Sequence, residues 1–591
     1  SLVGSEMCIR DRLYTIFSEY GAIARSVCIK NAGKMPLHLL TAMSLNLDLP
    51  DKDYIWMQLS GAWARERHVK VRALEQGITA IDSMRGHSSH EQNPFMVLKR
   101  KNTDEVMGEA IGFSFIYSGN FRIQAEVDTH DITRITVGIN PDGFDWELEP
   151  GESFQTPEAV MVYSDNGLNE MSQTFHKLYA KRLARGYWRD RSRPILNNNW
   201  EATYFDFNED KLINICKKAS ELGIELFVLD DGWFGKRNND KSSLGDWFVN
   251  TDKLPGSLKG LSEKVDKLGM SFGLWVEPEM ISEDSDLFRK HPDWALRIQG
   301  REMHEGRNQY VLDMGRDDVV AYLTDVFTAV LGSADIKYIK WDMNRNISDA
   351  NSAALPPNRQ GEVMHRYILG VYKLMENLVS TFPNILFEGC SGGAGRNDPG
   401  ILYYMPQNWG SDNTDAVERM YIQYGAGMVY PSSTICAHVS DVPNHQVGRT
   451  TPMKLRSEVA MSAVMGYEFD LSKLTDDECY DISEQIKQYK RIRSIVCFGD
   501  LYRLINPFEN RSASWMYVSE DKTKAVVFYY NKLAKPNSEI RRLKLKGLDE
   551  GKTYIVDNKE YTGRTLMNFG LYLPEYEKDF ESRAWEIEEK K

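Results

Sequence analysis

From residue 195 to about residue 473 the chain alternates short apolar runs with helical segments, and this alternation limits the fold more than any other feature. Eight runs can be marked: Ile195–Glu201, Leu226–Asp231, Phe272–Glu277, Tyr338–Asp342, Ile385–Cys390, Tyr404–Asp412, Met428–Pro431 and Tyr467–Leu471. Between several of them apolar residues recur at helical spacing. Leu212, Ile215, Ala219 and Leu222 share one face of 210–222. Val319, Leu323, Val326 and Val330 share a face of 317–331, with acids in the first turn and Gly332 as the stop. Val363, Tyr367, Val371, Leu374 and Leu378 mark a third helix. Eight strand–helix units fit a (β/α)8 TIM barrel, which typically takes about 250 residues. A doubly wound sheet is the alternative, but the glycine-rich loop that follows its first strand is missing from this sequence.

In such a barrel chemistry sits at the C-terminal ends of the strands. There the sequence puts Trp200, Asp230, Asp231, Trp275, Glu277, Asp342, Cys390 and Asp412. Asp342 ends an apolar run beside Trp341, and Asp412 ends another close to Trp409. Two carboxylates on separate strand ends, each near an indole, point to acid, base or nucleophilic chemistry on a sugar ring. Asp342 follows Lys340, and a nearby cation keeps a carboxylate ionised; the other reading is a helix cap. Asp415 is the better cap for the helix after it, which leaves Asp412 free. A proton donor at Asp412 must hold its proton near neutral pH, and Trp409 helps by excluding water. Asp230 and Asp231 are adjacent and face different ways, which suits hydroxyl binding; a plain turn is the alternative. Glu277 and Glu279 flank Pro278 and read as mostly structural. Cys390 opens a glycine-rich stretch to Arg396, and with no His nearby it reads as a small strand-end residue. His438 and His445 have no acidic ligand in an HExxH pattern, so neither a metal site nor a cofactor is predicted.

The flanks are strand-like. Within 13–167, Arg122–Val127 and Arg134–Ile139 alternate apolar and polar residues, the mark of half-buried antiparallel strands, and a β-sandwich is expected. The polar loop Arg85–Phe95 is either a solvated turn or a wall of a site on the neighbouring domain. Residues 168–192 form a largely helical linker, with Leu168, Met171, Phe175, Leu178 and Leu183 at helical spacing. The barrel is expected over 193–499 and a small antiparallel β-domain over 500–591, with Ile587–Lys591 as a frayed charged tail. Residues 1–12 do not begin with Met and match no signal-peptide pattern, and they read as a non-native scar.

A net charge of −13 with no basic aromatic stripe argues against nucleic acid. No apolar run of about 18 residues is present, so no membrane-spanning helix is expected. Seven scattered cysteines without zinc or disulfide spacing fit reduced thiols in a cytoplasm.

Taken together, LDDGWFG (229–235), WVEPEM (275–280), KWDMNR (340–345), CSGGAGR (390–396) and WGSDNTDA (409–416) resemble the glycoside hydrolase family 36 α-galactosidases of the melibiase and raffinose-hydrolysing type. The resemblance runs from about residue 13 to the end. It implies a central (β/α)8 barrel, an N-terminal β-supersandwich and a C-terminal β-sandwich. It implies Asp342 as nucleophile and Asp412 as acid/base. Asp230, Asp231 and Lys340 would hold galactose hydroxyls, with Arg307 and Asn344 as further contacts and Trp200, Trp275 and Trp409 shaping the pocket. Cys390 and Gly393 would lie beside the 2-hydroxyl and favour galactose over N-acetylgalactosamine. A retaining double displacement follows, with the carboxyl groups about 5–5.5 Å apart. The expected partner is a galactoside oligosaccharide. Transglycosylation is the nearest rival activity, a non-catalytic sugar-binding relative the next, and a metal-dependent barrel hydrolase the third. Family members like this one carry a longer N-terminal sandwich, and in tetrameric members the added part reaches a neighbour's active site. The chain is therefore expected to start inside that domain, and to be a homo-oligomer (tetramer or dimer) when the domain is complete.

Overall fold

The computed structural model describes residues 8–537, 541–573 and 578–591. Among the described residues eight parallel strands close a barrel: Leu196–Asn198, Leu226–Leu229, Ser271–Val276, Ile336–Trp341, Leu386–Gly389, Gln407–Trp409, Ile435–Val439 and Val464–Tyr467. The last pairs with the first through Leu196 and Gly466. Apart from Ser271 and Lys337 the strand residues are buried, because helices cover the strands outside and side chains fill them inside. Leu196, Leu226, Val228, Tyr338, Leu386 and Val464 belong to that inner packing.

The first six strands overlap the expected runs. The seventh does not. Met428–Pro431 was expected as a strand, but it is the turn that closes helix Ala416–Ala426: the amides of Met428, Val429 and Tyr430 donate back to Gly425 and Ala426. These residues are apolar because they are buried. The true strand, Ile435–Val439, is disguised by Cys436 and His438, which are buried among polar partners. The eighth strand ends at Tyr467, where the expected run began.

The helices follow ordinary capping rules. Asn208 accepts from the Lys211 amide to start Glu209–Leu222, and Gly223, at φ 92°, ends it. Asp476–Phe498 starts in a capping box made by Thr475 and Glu478.

Two antiparallel regions flank the barrel. Before it lie an eight-stranded and a four-stranded sheet, in which Phe121–Val127 pairs with Thr133–Ile139 and alternates buried and less buried residues. Of the twelve residues expected to be a scar, 1–7 lie outside the described residues. Cys8 to Arg12 run in strand Cys8–Phe17, paired with Ala22–Asn31. Helix Gly167–Leu178 and a wider turn, Tyr179–Leu183, lead to the barrel. After the barrel comes a six-stranded sheet over a core that includes Met516, Val527 and Trp585. Of the expected frayed tail, Ile587–Glu589 are instead the end of strand Glu581–Glu589, paired with Lys524–Asn531, with Ile587 buried in the core. The alternation of Trp585 and Ile587 with charged residues is the strand signal that the charge count obscured.

Candidate active site

Asp342 is the first residue past the fourth barrel strand, and its amide extends the ladder to Val276 O at 2.8 Å. Its carboxylate is saturated with donors. Oδ2 accepts from Trp275 Nε1 (3.1 Å) and Asn344 Nδ2 (2.8 Å), and Oδ1 from the amides of Met343 (2.9 Å) and Gly392 (3.2 Å). Burial alone would raise this carboxyl. Lys340, Arg307 and the hydrogen bonds of Asn344 and Cys390 outweigh it and hold Asp342 below the usual carboxylate range.

The adjacent acids face apart, as expected of neighbours at a strand end. Asp230 Oδ2 takes Lys340 Nζ (2.9 Å) and Asn198 Nδ2 (2.7 Å). Asp231 is gripped by Arg237 through Nε (3.0 Å) and Nη2 (2.8 Å). Burial raises the Asp230 carboxyl even against Lys340. Burial would lower Lys340, but Asp230, Glu468 and Asp342 raise it well above its usual value, so it stays a cation.

Asp412, past the sixth strand, is held differently. Trp409 Nε1 donates to Oδ1 (3.0 Å) and Trp63 Nε1 to Oδ2 (2.9 Å). Asp415 is the helix cap, accepting from the amides of Val417 and Glu418.

These groups converge on one cavity of about 150 Å³. Trp200, Asp230, Asp231, Trp275, Arg307, Lys340, Asp342, Asn344, Trp409 and Asp412 all line it. Cys390 and Gly393 lie behind the wall. The Cys390 thiol is hydrogen-bonded to Asp342, and burial, with the Asp342 charge, pushes it well above the usual thiol range, so it is no nucleophile. Gly393 has φ 82°, and a Cβ there would meet Glu66 Oε1 at 2.7 Å and Asp412 N at 2.8 Å. Only glycine fits that close approach.

Glu279 is structural as expected: it holds Arg396 with both oxygens (2.7 and 2.8 Å) and Trp341 Nε1 (2.9 Å). Glu277 accepts from Gln309 Nε2 (2.9 Å) and the Asn344 amide (2.5 Å). Burial and the Asp342 charge raise it to about 7.

Sequence reasoning missed Trp63, Glu201, His445, Gln446 and Glu468, which complete the wall. Glu468 follows the eighth strand and was hidden by the misplaced strand end. Glu201 stands beside Trp200 and was visible. Its carboxyl is raised to about 7 by burial, with His445 pulling the other way. Trp63 comes from the N-terminal region and gives no local signal.

A wider outer chamber of about 420 Å³ adjoins the cavity and shares Trp63, Arg307, Asn344 and Asp412 with it. His87, His90 and Glu91 line its far side. The loop Arg85–Phe95 is thus a site wall rather than a solvated turn: His87 contacts Gly395 O (2.9 Å) and Asn346 Oδ1 (2.7 Å), and His90 contacts Gly392 O (2.6 Å). Among the described residues, no three His, Cys, Asp or Glu side chains form a group that could hold a metal.

Chemically, the cavity joins a fixed, ionised carboxylate to a second carboxyl that faces an open chamber. Indole walls suit the apolar face of a sugar, and a buried cation and acids suit its hydroxyls.

Comparison with known proteins agrees in every region. The melibiase family matches residues 153–499. The N-terminal and C-terminal domains of glycosyl hydrolase family 36 match 11–149 and 512–587. The chain belongs to glycoside hydrolase family 36. The α-galactosidase AgaA of Geobacillus stearothermophilus is 55% identical over 99% of this chain and 80% of its own. The α-galactosidase Mel36A of Lactobacillus acidophilus is 48% identical over 97% of this chain and 79% of its own. The AgaA crystal structure superposes with a TM-score of 0.98, covering 98% of this chain and 81% of that one at 55% identity. AgaA variants carrying an Asp→Asn or an Asp→Ala substitution were solved with raffinose and stachyose respectively; each has a TM-score of 0.98 at 54% identity, with the same coverage. The family 36 barrel and its two β-domains are therefore the architecture of this chain. No helix among the described residues is long and apolar enough to cross a membrane.

Proposed function

We propose that Asp342 and Asp412 carry out a retaining double displacement in this α-galactosidase. Asp342 attacks the anomeric carbon while Asp412 protonates the departing oxygen; water deprotonated by Asp412 then releases galactose with its α configuration kept. The observation that carries this reading is the contrast between the two carboxylates on one cavity wall. Asp342 is ionised and immobilised, and Asp412 opens to the chamber where a leaving group would sit. The two aspartates substituted in the sugar-bound AgaA structures are as far apart in that sequence as Asp342 and Asp412 are here, which supports the pairing.

In this reading Asp230, Asp231 and Lys340 hold sugar hydroxyls. Arg307 and Asn344 add contacts, and Trp200, Trp275 and Trp409 enclose the ring. Cys390 and Gly393 keep the space beside the 2-hydroxyl small. The substrate is a terminal α-galactoside of the raffinose or melibiose type. The protein works in the cytoplasm, and as a homo-oligomer (tetramer or dimer) when its N-terminal domain is complete; size-exclusion chromatography with light scattering checks the oligomeric state.

The deciding experiment is hydrolysis of p-nitrophenyl α-galactoside, with NMR of the first-formed sugar. α-Galactose is the expected product. First-formed β-galactose would overturn the retaining route, and no hydrolysis would overturn the activity. Transglycosylation remains the second reading, because the outer chamber has room for an acceptor sugar beside Asp412. Galactosylated acceptor exceeding free galactose among the products would favour it.

A further inference from the structure

The N-terminal strands Ile55–Ala62 and Arg65–Ala73 are joined by a hairpin that reaches the mouth of the barrel. Its turn is tight: a Cβ at Gly61 would lie 2.1 Å from Arg65 O, and Ala64 and Arg67 have φ of 63° and 53°. Residues 63–67 then meet residues 410–413 side by side. Trp63 Nε1 donates to Asp412 Oδ2 (2.9 Å), and Asn413 Nδ2 donates to Ala64 O (3.0 Å). Ser411 Oγ donates to Glu66 Oε2, and Arg67 Nη2 donates to Gly410 O (2.5 Å). Every residue of the segment that carries the proton donor is thus tied to another domain.

Glu66 is the least expected member. It is a carboxyl from the N-terminal domain with 1% exposure, set between Ser411 and Gly393, directly behind the Asp412 amide. It lines neither the cavity nor the chamber. Burying a carboxyl is costly unless it is bonded, and burial pushes Glu66 above the usual carboxylate range. An apolar side chain would fill a domain interface more cheaply. A hydrogen-bonding group here suits placement of the Ser411–Asp412 backbone.

We propose that Glu66 is a positioning residue for the acid/base, fixing Asp412 through Ser411 so that its carboxyl reaches the leaving oxygen. The proposal rests on the reaction assigned above. Misplacing a general acid penalises substrates that need protonation and spares those that do not. Interface packing alone would affect both kinds equally.

The test measures kcat/KM, which reports bond cleavage, for raffinose and for 2,4-dinitrophenyl α-galactoside in the full chain. Glu66→Leu should cost about tenfold or more on raffinose and about twofold or less on the aryl substrate. Glu66→Gln keeps an acceptor for Ser411 and should return raffinose turnover to within about threefold of the parent. Ser411→Ala removes the same bond from the barrel side. It should reproduce the selective loss even if Glu66→Leu fails to fold; because Ser411 Oγ also accepts from the Asn413 amide (3.1 Å), the double variant should lose less than the two single losses combined rather than match Glu66→Leu. Equal losses on both substrates, or no loss in Ser411→Ala, would overturn the proposal and leave the α-galactosidase assignment standing. An inactive parent chain would overturn both.

Discussion

Asp342 and Asp412 are the same residue type at the same level of one barrel, yet they are held in opposite ways. Asp342, past the fourth strand, is buried and takes two amides, an indole and a carboxamide, with Lys340 and Arg307 supplying charge. Asp412, past the sixth, is half-buried and takes two indole N–H groups, one of them from another domain. A nucleophile has to stay ionised and still. A group that gives and then takes a proton needs access to the departing and arriving oxygens. In the proposed mechanism, environment rather than residue type divides the labour.

The largest effect should come from the fixed side. Asp342→Ala should lower kcat/KM by about 10⁴-fold or more on raffinose and on activated aryl galactosides alike, because no leaving group replaces a nucleophile. Asp412→Asn should cost about 10²- to 10⁴-fold on raffinose but far less on 2,4-dinitrophenyl α-galactoside, whose departure needs no proton. Steady-state kinetics on both substrates checks the pair. Matching profiles for the two variants would erase the distinction.

Lys340→Met should come next. Lys340 bonds Asp230 and sends its charge toward Asp342, both deeply buried. Its loss leaves Asp230 buried without a cation, a defect that costs about 3–5 kcal/mol and is measurable as a lower urea midpoint. The same loss removes the largest of the forces that hold Asp342 low, so its carboxylate protonates at a higher pH. The acid limb of kcat/KM should therefore move upward in pH. A limb that stays in place would mean that Arg307 and the local donors alone hold the charge.

The two ends were unequally legible in the sequence. Asp342 could be found because Ile336–Trp341, with Ile336, Tyr338, Ile339 and Trp341, is a mainly apolar strand that stops at charge, and Asp412 because Asp415 already satisfied the helix after it. Such signals are local, and so were the eight strand–helix units. The seventh strand was lost because Cys436 and His438 break its apolar run while the buried turn at Met428–Tyr430 imitates one. Trp63, Glu66 and Arg67 could not be placed at all. Their partners lie more than three hundred residues away, and no periodicity reports a contact of that span. The half of the site that belongs to one barrel was readable from pattern, whereas the half that depends on docking two domains needed the fold.

Asn344→Ala gives the smallest and most discriminating effect. Asn344 Nδ2 is one of several donors to Asp342, and its removal leaves Trp275, the two amides, Lys340 and Arg307 in place. Hydrogen bonds to the ionised form lower a carboxyl, so losing one must raise Asp342, though less than losing Lys340 does. The acid limb of kcat/KM should rise by about one pH unit or less. Near neutral pH Asp342 would still be ionised, so the rate there should change only through the contact proposed between Asn344 and the sugar. A pH profile separates the two contributions, since the limb reports the free enzyme and the plateau reports binding and chemistry. A shift as large as that of Lys340→Met would mean that the strand-end carboxamide, not the buried lysine, sets the charge on Asp342.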